Sequence, residues 1–426
     1  LHVSQHSFPT RRSSDLTEAV GIGSAPGRDL LWIPYDNHPE VQLVDFTGPG
    51  TVTAIPLPTF GNDASVYDPA TGTLYVASWA YGEIEVVDLA SRRFRRRIPA
   101  VGILPHMFTM AWGVRSQGLY LPLGATAVNG SWGSALTFLD PLSGHSEKVR
   151  TGFAPLDFAF AGPPGALKVF DSEGEVAEVA PDLSVAFHEL PVPYPRQALS
   201  GEEGTIFLTY GAHQSYWPTV YIWAARNGVL TLRPDGSWDD RRLPRQSLAA
   251  VLLPGGELCG TQNNWGEEKQ FLFRFPDEVR QPNLPDLRLE LPDTVVREAS
   301  QRLLAAAPGR RLVLARLGES DGEPGVVQLI DLENRKVVFR TPVGRTPADL
   351  LVSGGAAYVA CFDDDRVWRL PLDGSPPVAL SAPRQPLRLA ELGGKVYVLG
   401  HGGALAGAGA LLDRGSPAGG VAGAGR

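Results

Sequence analysis

Arginine recurs at one station along this chain. Arg196, Arg245, Arg297, Arg345 and Arg384 stand 11, 13, 16, 13 and 13 residues ahead of apolar segments anchored at Phe207, Leu258, Val313, Tyr358 and Tyr397, and His106 stands 14 residues ahead of Tyr120. The segments around them read PRQALS, PRQSLA, VREASQ, GRTPADLL, PRQPLRLA and, for the histidine, LPHMFTMAW. A guanidinium is a planar, permanently charged fork of donors whose shape matches a carboxylate or a phosphate. Five of them at one mouth would repel each other unless something compensates. An anionic ligand would supply that compensation. Acidic side chains of neighbouring repeats, backbone carbonyls or plain solvation would do so equally, and the spacing by itself leaves both readings open.

A second group of candidates lies in stretches rich in Trp, His, Asn and Tyr: DNHPE (36–40), GATAVNGSWGS (124–134), YGAHQSYWPTVYIW (210–223) and TQNNWGEE (261–268). Aromatic rings beside amide groups offer apolar area with a polar handle, which recognition surfaces use. The competing reading is a set of aromatics that anchor loops by packing inward. His213, Trp217, Asn263, Asn264 and Trp265 are the ligand-binding candidates of this group, and His106 or His213 would be the acid or base if the chain were an enzyme.

Other clusters are weaker. FDDDR (362–366) lacks the spaced oxygen ligands and intervening Gly of a calcium loop, so a solvated turn is expected there. SRRFRRR (91–97) is expected on an outermost strand, where positive charge discourages edge-to-edge pairing. The histidines at 38, 106, 145, 188, 213 and 401 show no H-x-H or H-E-x-x-H spacing. No metal site and no cofactor is predicted, and G-x-S-x-G, P-loop and haem-attachment motifs are absent.

The elements that must position these residues come from a repeat. GTLYVASWAYGEIEVVDLASRRFRRRIPAVG (72–102) and GAAYVACFDDDRVWRLPLDGSPPVALSAP (355–383) share one plan: a Gly turn, an aromatic-apolar strand, a polar loop, an alternating strand, a turn and a more polar last strand. Period-two alternation of this kind predicts half-buried strands joined as antiparallel hairpins. The apolar second strand recurs at Leu31, Tyr75, Tyr120, Val169, Phe207, Leu258, Val313, Tyr358 and Tyr397, at intervals of 44, 45, 49, 38, 51, 55, 45 and 39 residues. Four-stranded units at this period predict an all-β fold, a β-propeller of antiparallel blades. Nine anchors predict eight blades, with the incomplete ninth unit sharing closure with the N-terminus, or seven if one anchor is miscounted. In such a ring the first strands line a central channel, and the loops leading into them crowd one mouth with the loops joining second to third strands.

At this point a resemblance can be stated. YVAS, IEVVDL and IPAVG in the second unit, and VVQLIDLENRKVVFRTPVGRTPADLLVSGGAAYVACFDDDRVWRLPL in the seventh and eighth, resemble YVTN-type propeller repeats. Tyr75-Val76 and Tyr358-Val359 keep the Y-V pair, whereas the following T-N half reads Ala-Ser and Ala-Cys. The resemblance runs over most of 17–403 and is weakest in the fourth to sixth units. It implies a propeller, and a periplasmic or extracellular binding or scaffold protein, with lactonase-like or lyase-like enzymes among its relatives. Function follows from a fold only loosely.

Composition bounds the rest. The formal charge is −8 over 426 residues, which argues against broad binding to a phosphate backbone, so no nucleic-acid partner is expected. No apolar run reaches the roughly 18 residues of a membrane-spanning helix. Cys259 and Cys361 lack metal or redox spacing and are expected to be buried and unpaired. LHVSQHSFPTRRSSDL (1–16) has no apolar core of a signal peptide, and its back-translation resembles a short-read library adapter, so these residues are expected to lie outside the fold. Without Arg11, Arg12 and Asp15 the charge moves from −8 to −9. Residues 17–403 are expected to form one propeller domain, and the Gly/Ala-rich 404–426 a disordered tail. The resulting functional expectation is a monomeric, non-enzymatic propeller that recognises a small anionic ligand or a protein partner at its channel mouth. The alternative is a lactonase-like or lyase-like enzyme acting on a carboxylated or phosphorylated small molecule.

Overall fold

The structure, a computed structural model, describes residues 22–407 apart from interruptions, the longest of which are 100–110, 123–134, 215–220, 264–269, 276–286 and 292–302; for some strands the backbone alone is described. Antiparallel four-stranded meanders follow one another along the chain, within 23–56, 62–99, 111–150, 155–189, 195–243, 246–291, 304–345 and 347–381, and a three-stranded sheet occupies 386–407. We number these sheets one to nine.

The β-propeller class is as expected, but the blade count is not eight or seven, and the blades are not uniformly four-stranded. Among the described residues, eight four-stranded sheets and one three-stranded sheet make nine in the succession. A separate two-stranded ribbon, His213–Gln214 with Tyr221–Ile222, rises from the fifth. Two short strands explain the difference. Gly23–Ser24 pairs with the first sheet's own Leu30–Pro34, and Leu405–Gly407, inside the stretch assigned to the tail, pairs with Lys395–Gly400. The ninth unit therefore stands as a sheet of its own instead of lending strands to the first. Residues 1–16 and 408–426 lie outside the described residues.

The central strands are not half-buried as the alternation predicts but buried at nearly every position, as in Leu30–Pro34, Thr73–Ser78 and Ala356–Cys361, so each sheet has two apolar faces, and each face must be covered by a neighbour. The buried clusters are accordingly shared between consecutive sheets. Leu43, Ile55, Leu74 and Val87 join the first to the second, Phe170 and Val176 pack with Leu208 and Leu230 between the fourth and fifth, and Val313, Val327, Val359 and Leu370 join the seventh to the eighth. Ring closure is visible in the same terms. Leu31, Ile33, Tyr35 and Val44 of the first sheet bury themselves against Tyr397 and Leu399 of the last. Each such side chain contributes roughly 1.5–3 kcal/mol through burial, so the packed junctions hold the toroid.

Side chains on the innermost strands reinforce the junctions. A β-bulge recurs near the start of these strands, at Pro155/Asp157, Pro195/Gln197, Pro347/Asp349 and Pro386/Arg388, and it turns the residue after the bulge toward the next sheet. Gln197 Nε2 donates to Ala250 O at 3.1 Å, and Asp349 Oδ2 accepts from Leu389 N at 2.8 Å. Both acceptors and donors sit one residue past the equivalent bulge position of the following sheet. At the outer turns, Asp45, Asp88, Asp182, Asp235, Asp331 and Asp373 cap backbone N–H groups two or three residues on, at 2.6 to 3.0 Å. These hydrogen bonds hold the six carboxyls below the usual carboxylate range, Asp88 at about 2.

The first junction carries a buried carboxyl. Glu85 lies in Glu83–Asp88 with no exposed surface. It accepts from Thr59 N at 2.9 Å and from Thr59 Oγ1, on the segment between the first and second sheets. Its Oε2 is buried without a hydrogen-bond partner among the described residues. Burial raises it to about 7, against the lowering effect of the Thr59 hydrogen bonds and of Arg97. The seventh sheet has the neutral Gln328 at the equivalent register, three residues before the turn aspartate.

Two outcomes follow. Asp349→Ala leaves the Leu389 N–H without its cap, and we expect it to lower unfolding free energy by about 1–3 kcal/mol in chemical denaturation. The folded chain keeps the Glu85 proton up to about pH 7 while the unfolded chain releases it near 4.5, so this group's contribution to stability falls as pH rises through that window. Glu85→Gln should therefore raise the thermal midpoint at pH 8 and leave it nearly unchanged at pH 4.5; an equal effect at both values would contradict the assignment.

Candidate functional site

The described part of the mouth is built where lead-in loops and second-to-third-strand loops meet. At the seventh–eighth junction Arg345 closes the strand Lys336–Arg345 and Thr346 adopts φ 51°. A left-handed residue here swings the chain from one sheet into the next. Gln385 repeats the device with φ 51° at the eighth–ninth junction. The two carbonyls then accept equivalent N–H groups: Phe362 N to Thr346 O and His401 N to Gln385 O, both at 2.9 Å. Arg345 and Arg384 are thus true structural equivalents, each two residues ahead of the bulge proline, Pro347 or Pro386.

The aspartates of FDDDR are joined to these loops. Arg345 donates to Asp364 through Nε at 2.6 Å and through its main-chain N at 2.6 Å, and its Nη2 reaches Asp363 O at 2.8 Å. Thr346 Oγ1 donates to Asp363 Oδ2, and Gln385 N donates to Asp365 Oδ1 at 2.6 Å. Gly344 makes room for this clamp, since a Cβ there would lie 2.6 Å from Asp364 Oδ2 and 2.8 Å from the Cβ of Cys361. The turn is therefore a capping device rather than a free solvated loop. Among the described residues, no group of three His, Cys, Asp or Glu is placed to hold a metal ion.

The other predicted residues are placed unevenly. Arg384 is exposed. Arg196 is the extra residue of the Pro195/Gln197 bulge, three positions along from the station of Arg345 and Arg384, and only its backbone is described. His213 pairs with Ile222 in the ribbon and Asn263 ends the strand Leu258–Asn263, again with backbone alone described. His106, Trp217, Arg245, Asn264, Trp265 and Arg297 lie outside the described residues. The ribbon His213–Gln214 with Tyr221–Ile222 lies in sequence between the second and third strands of the fifth sheet.

Sequence reading missed an aromatic pair on the same mouth. Phe60, 47% exposed, meets Tyr81, 52% exposed, edge to face with centroids 5.2 Å apart. Phe60 stands two residues ahead of the Asn62/Ala64 bulge, the station that Arg345 and Arg384 fill elsewhere, and Ser78 Oγ holds its carbonyl at 2.6 Å. The signal available was the register, not the residue type. In the first sheet the DNHPE loop places His38 Nδ1 3.5 Å from Glu40 Oε2 and His38 edge-on to the buried Tyr35 at 6.4 Å.

Two other expectations hold in place. Cys259 and Cys361 form no disulfide and are buried, and burial pushes the Cys361 thiol up to about 12, far from a reactive thiolate. Arg93–Pro99 is the outermost strand of the second sheet. Its basic run is largely matched by acids, with Arg92 on Asp45, Arg95 on Asp88, and Arg97 Nη1 3.2 Å from Glu83 Oε2. No helix of the structure is long and apolar enough to cross a membrane, among the described residues.

Comparison with known proteins yields fold alone. No protein-family model matches the chain, and no curated protein sequence matches it. Among solved structures it is similar to a eukaryotic initiation factor, at 13% identity and TM-score 0.58, covering 87% of this chain and 92% of that one. The dihydro-heme d1 dehydrogenase NirN in complex with DHE is similar at 12% identity and TM-score 0.54, covering 84% and 75%. AztD from Citrobacter koseri, solved in its apo form, is similar at 12% identity and TM-score 0.50, covering 84% and 96%. These neighbours include β-propeller proteins, and the propeller is what the chain shares with them.

Proposed function

We propose that this chain is a non-enzymatic binding propeller whose channel mouth recognises a small anionic ligand or a protein partner. One observation carries the reading: exposed cationic and aromatic side chains, Arg384, His38, Phe60 and Tyr81, stand on lead-in and second-to-third-strand loops fixed by main-chain capping. Rigid loops presenting such groups meet the requirements of a recognition surface, because little ordering entropy is lost on contact. The finer identification with YVTN-type repeats rests on the Tyr75-Val76 and Tyr358-Val359 phrases. The alternative is a lactonase-like or lyase-like enzyme with His106 or His213 as acid or base; His106 and the His213 side chain lie outside the described residues.

The test is calorimetric titration of the full chain with succinate, citrate and inorganic phosphate, beside a variant carrying Arg345→Gln and Arg384→Gln together. We expect at least one anion to bind the native chain and to lose tenfold or more in affinity, about 1.4 kcal/mol or more, in the double variant. Equal affinities in both proteins, or no anion bound by the native chain, would overturn the anion-binding reading.

A further inference from the structure

The two equivalent arginines are in different states, and the difference points to a specific subsite. Arg345 is engaged from within: the Asp364 carboxylate takes both its main-chain N–H and its Nε–H. That contact is a template, showing what the station binds when a carboxylate is offered. In the ninth sheet, the residues following His401 before the next strand are Gly402, Gly403 and Ala404 by sequence, so that loop has no side chain to play the part of Asp364. Arg384 is exposed, and it has no hydrogen bond or ion pair with any described residue.

We infer that Arg384 and His401 form a carboxylate subsite, in which the ligand's carboxylate takes the place that Asp364 holds on Arg345. This deepens the proposed mouth-binding reading and rests on it. His401 is set beside the arginine by its N–H bond to Gln385 O at 2.9 Å, and its ring is steadied edge-on by the buried Phe362 at 5.8 Å and 87°. Its Nδ1 is buried without a hydrogen-bond partner among the described residues. A further cation, Arg388, lies on the same inner strand, at the position where the eighth sheet has Asp349. Two acids of the eighth sheet hold main-chain N–H groups of this segment, Asp365 that of Gln385 and Asp349 that of Leu389. The choice of a carboxylate follows the occupied station: on Arg345 the main-chain N–H and Nε–H hold the two oxygens of one carboxylate, Oδ2 and Oδ1 of Asp364, both at 2.6 Å.

The experiment titrates succinate and inorganic phosphate into the native full chain and into Arg384→Gln, Arg345→Gln and His401→Gln, each variant checked for an unchanged thermal midpoint. Expected are one succinate site in the native chain, a loss of tenfold or more in Arg384→Gln, a severalfold loss in His401→Gln, less than twofold change in Arg345→Gln, and phosphate at least tenfold weaker than succinate. If Arg384→Gln binds succinate as the native chain does, or Arg345→Gln is weakened as much, the subsite is wrong while mouth binding stands. Phosphate binding as tightly as succinate would overturn the carboxylate assignment. Absence of any saturable anion binding to the native chain would instead remove the anion-binding reading along with it.

Discussion

The structure depends on apolar burial between sheets rather than within them. A four-stranded meander with an alternating pattern cannot hide both of its faces, so every sheet owes its core to two neighbours, and a chain of such sheets is satisfied only when the last covers the first. Tyr397 and Leu399 against Leu31 and Ile33 provide that final contact. Because the junctions are shared, a change at one of them is felt by two sheets at once.

The polar features at these junctions are subordinate to that packing and exploit it. A bulge at the start of the inner strand turns one side chain toward the next sheet, where it finds a main-chain group: Gln197 a carbonyl, Asp349 an N–H. A buried carboxyl at the same kind of junction, Glu85, is tolerated because Thr59 supplies two donors to one oxygen. Its second oxygen is left without a hydrogen bond among the described residues, and the proton is retained as a consequence. The seventh sheet avoids that charge altogether by using Gln328.

The mouth shows how a repeat diversifies without losing its frame. Arg345, Arg384 and Phe60 occupy one backbone station, two residues ahead of the bulge of their inner strands. What varies is the partner: a carboxylate for Arg345, an aromatic ring for Phe60, and none among the described residues for Arg384. The station is thus paired from within in one sheet and open in another. Likeness to an initiation factor on one side and a dehydrogenase on the other, both at low identity, fits a fold whose chemistry resides in such local choices.

The sequence by itself determined the class of element and the order of the chain. Alternation at LYVAS, EIEVVDL and RVWRLPL fixed strands and faces, the recurring anchors fixed the succession of sheets, and the burial of Cys259 and Cys361 followed from their apolar settings. It did not determine the blade count, because Gly23–Ser24 and Leu405–Gly407 are strands only by virtue of the neighbour they pair with, and neither carries an apolar pattern. Nor could it separate Arg196 from Arg345 and Arg384, whose surrounding letters look alike. All three strands carry the same bulge, and only the pairing shows that Arg196 stands inside it whereas Arg345 and Arg384 stand two residues ahead of it. The pairing of Arg345 with Asp364 and the solvent exposure of Arg384 were likewise decided by tertiary structure, since both depend on which loop the ring brings alongside.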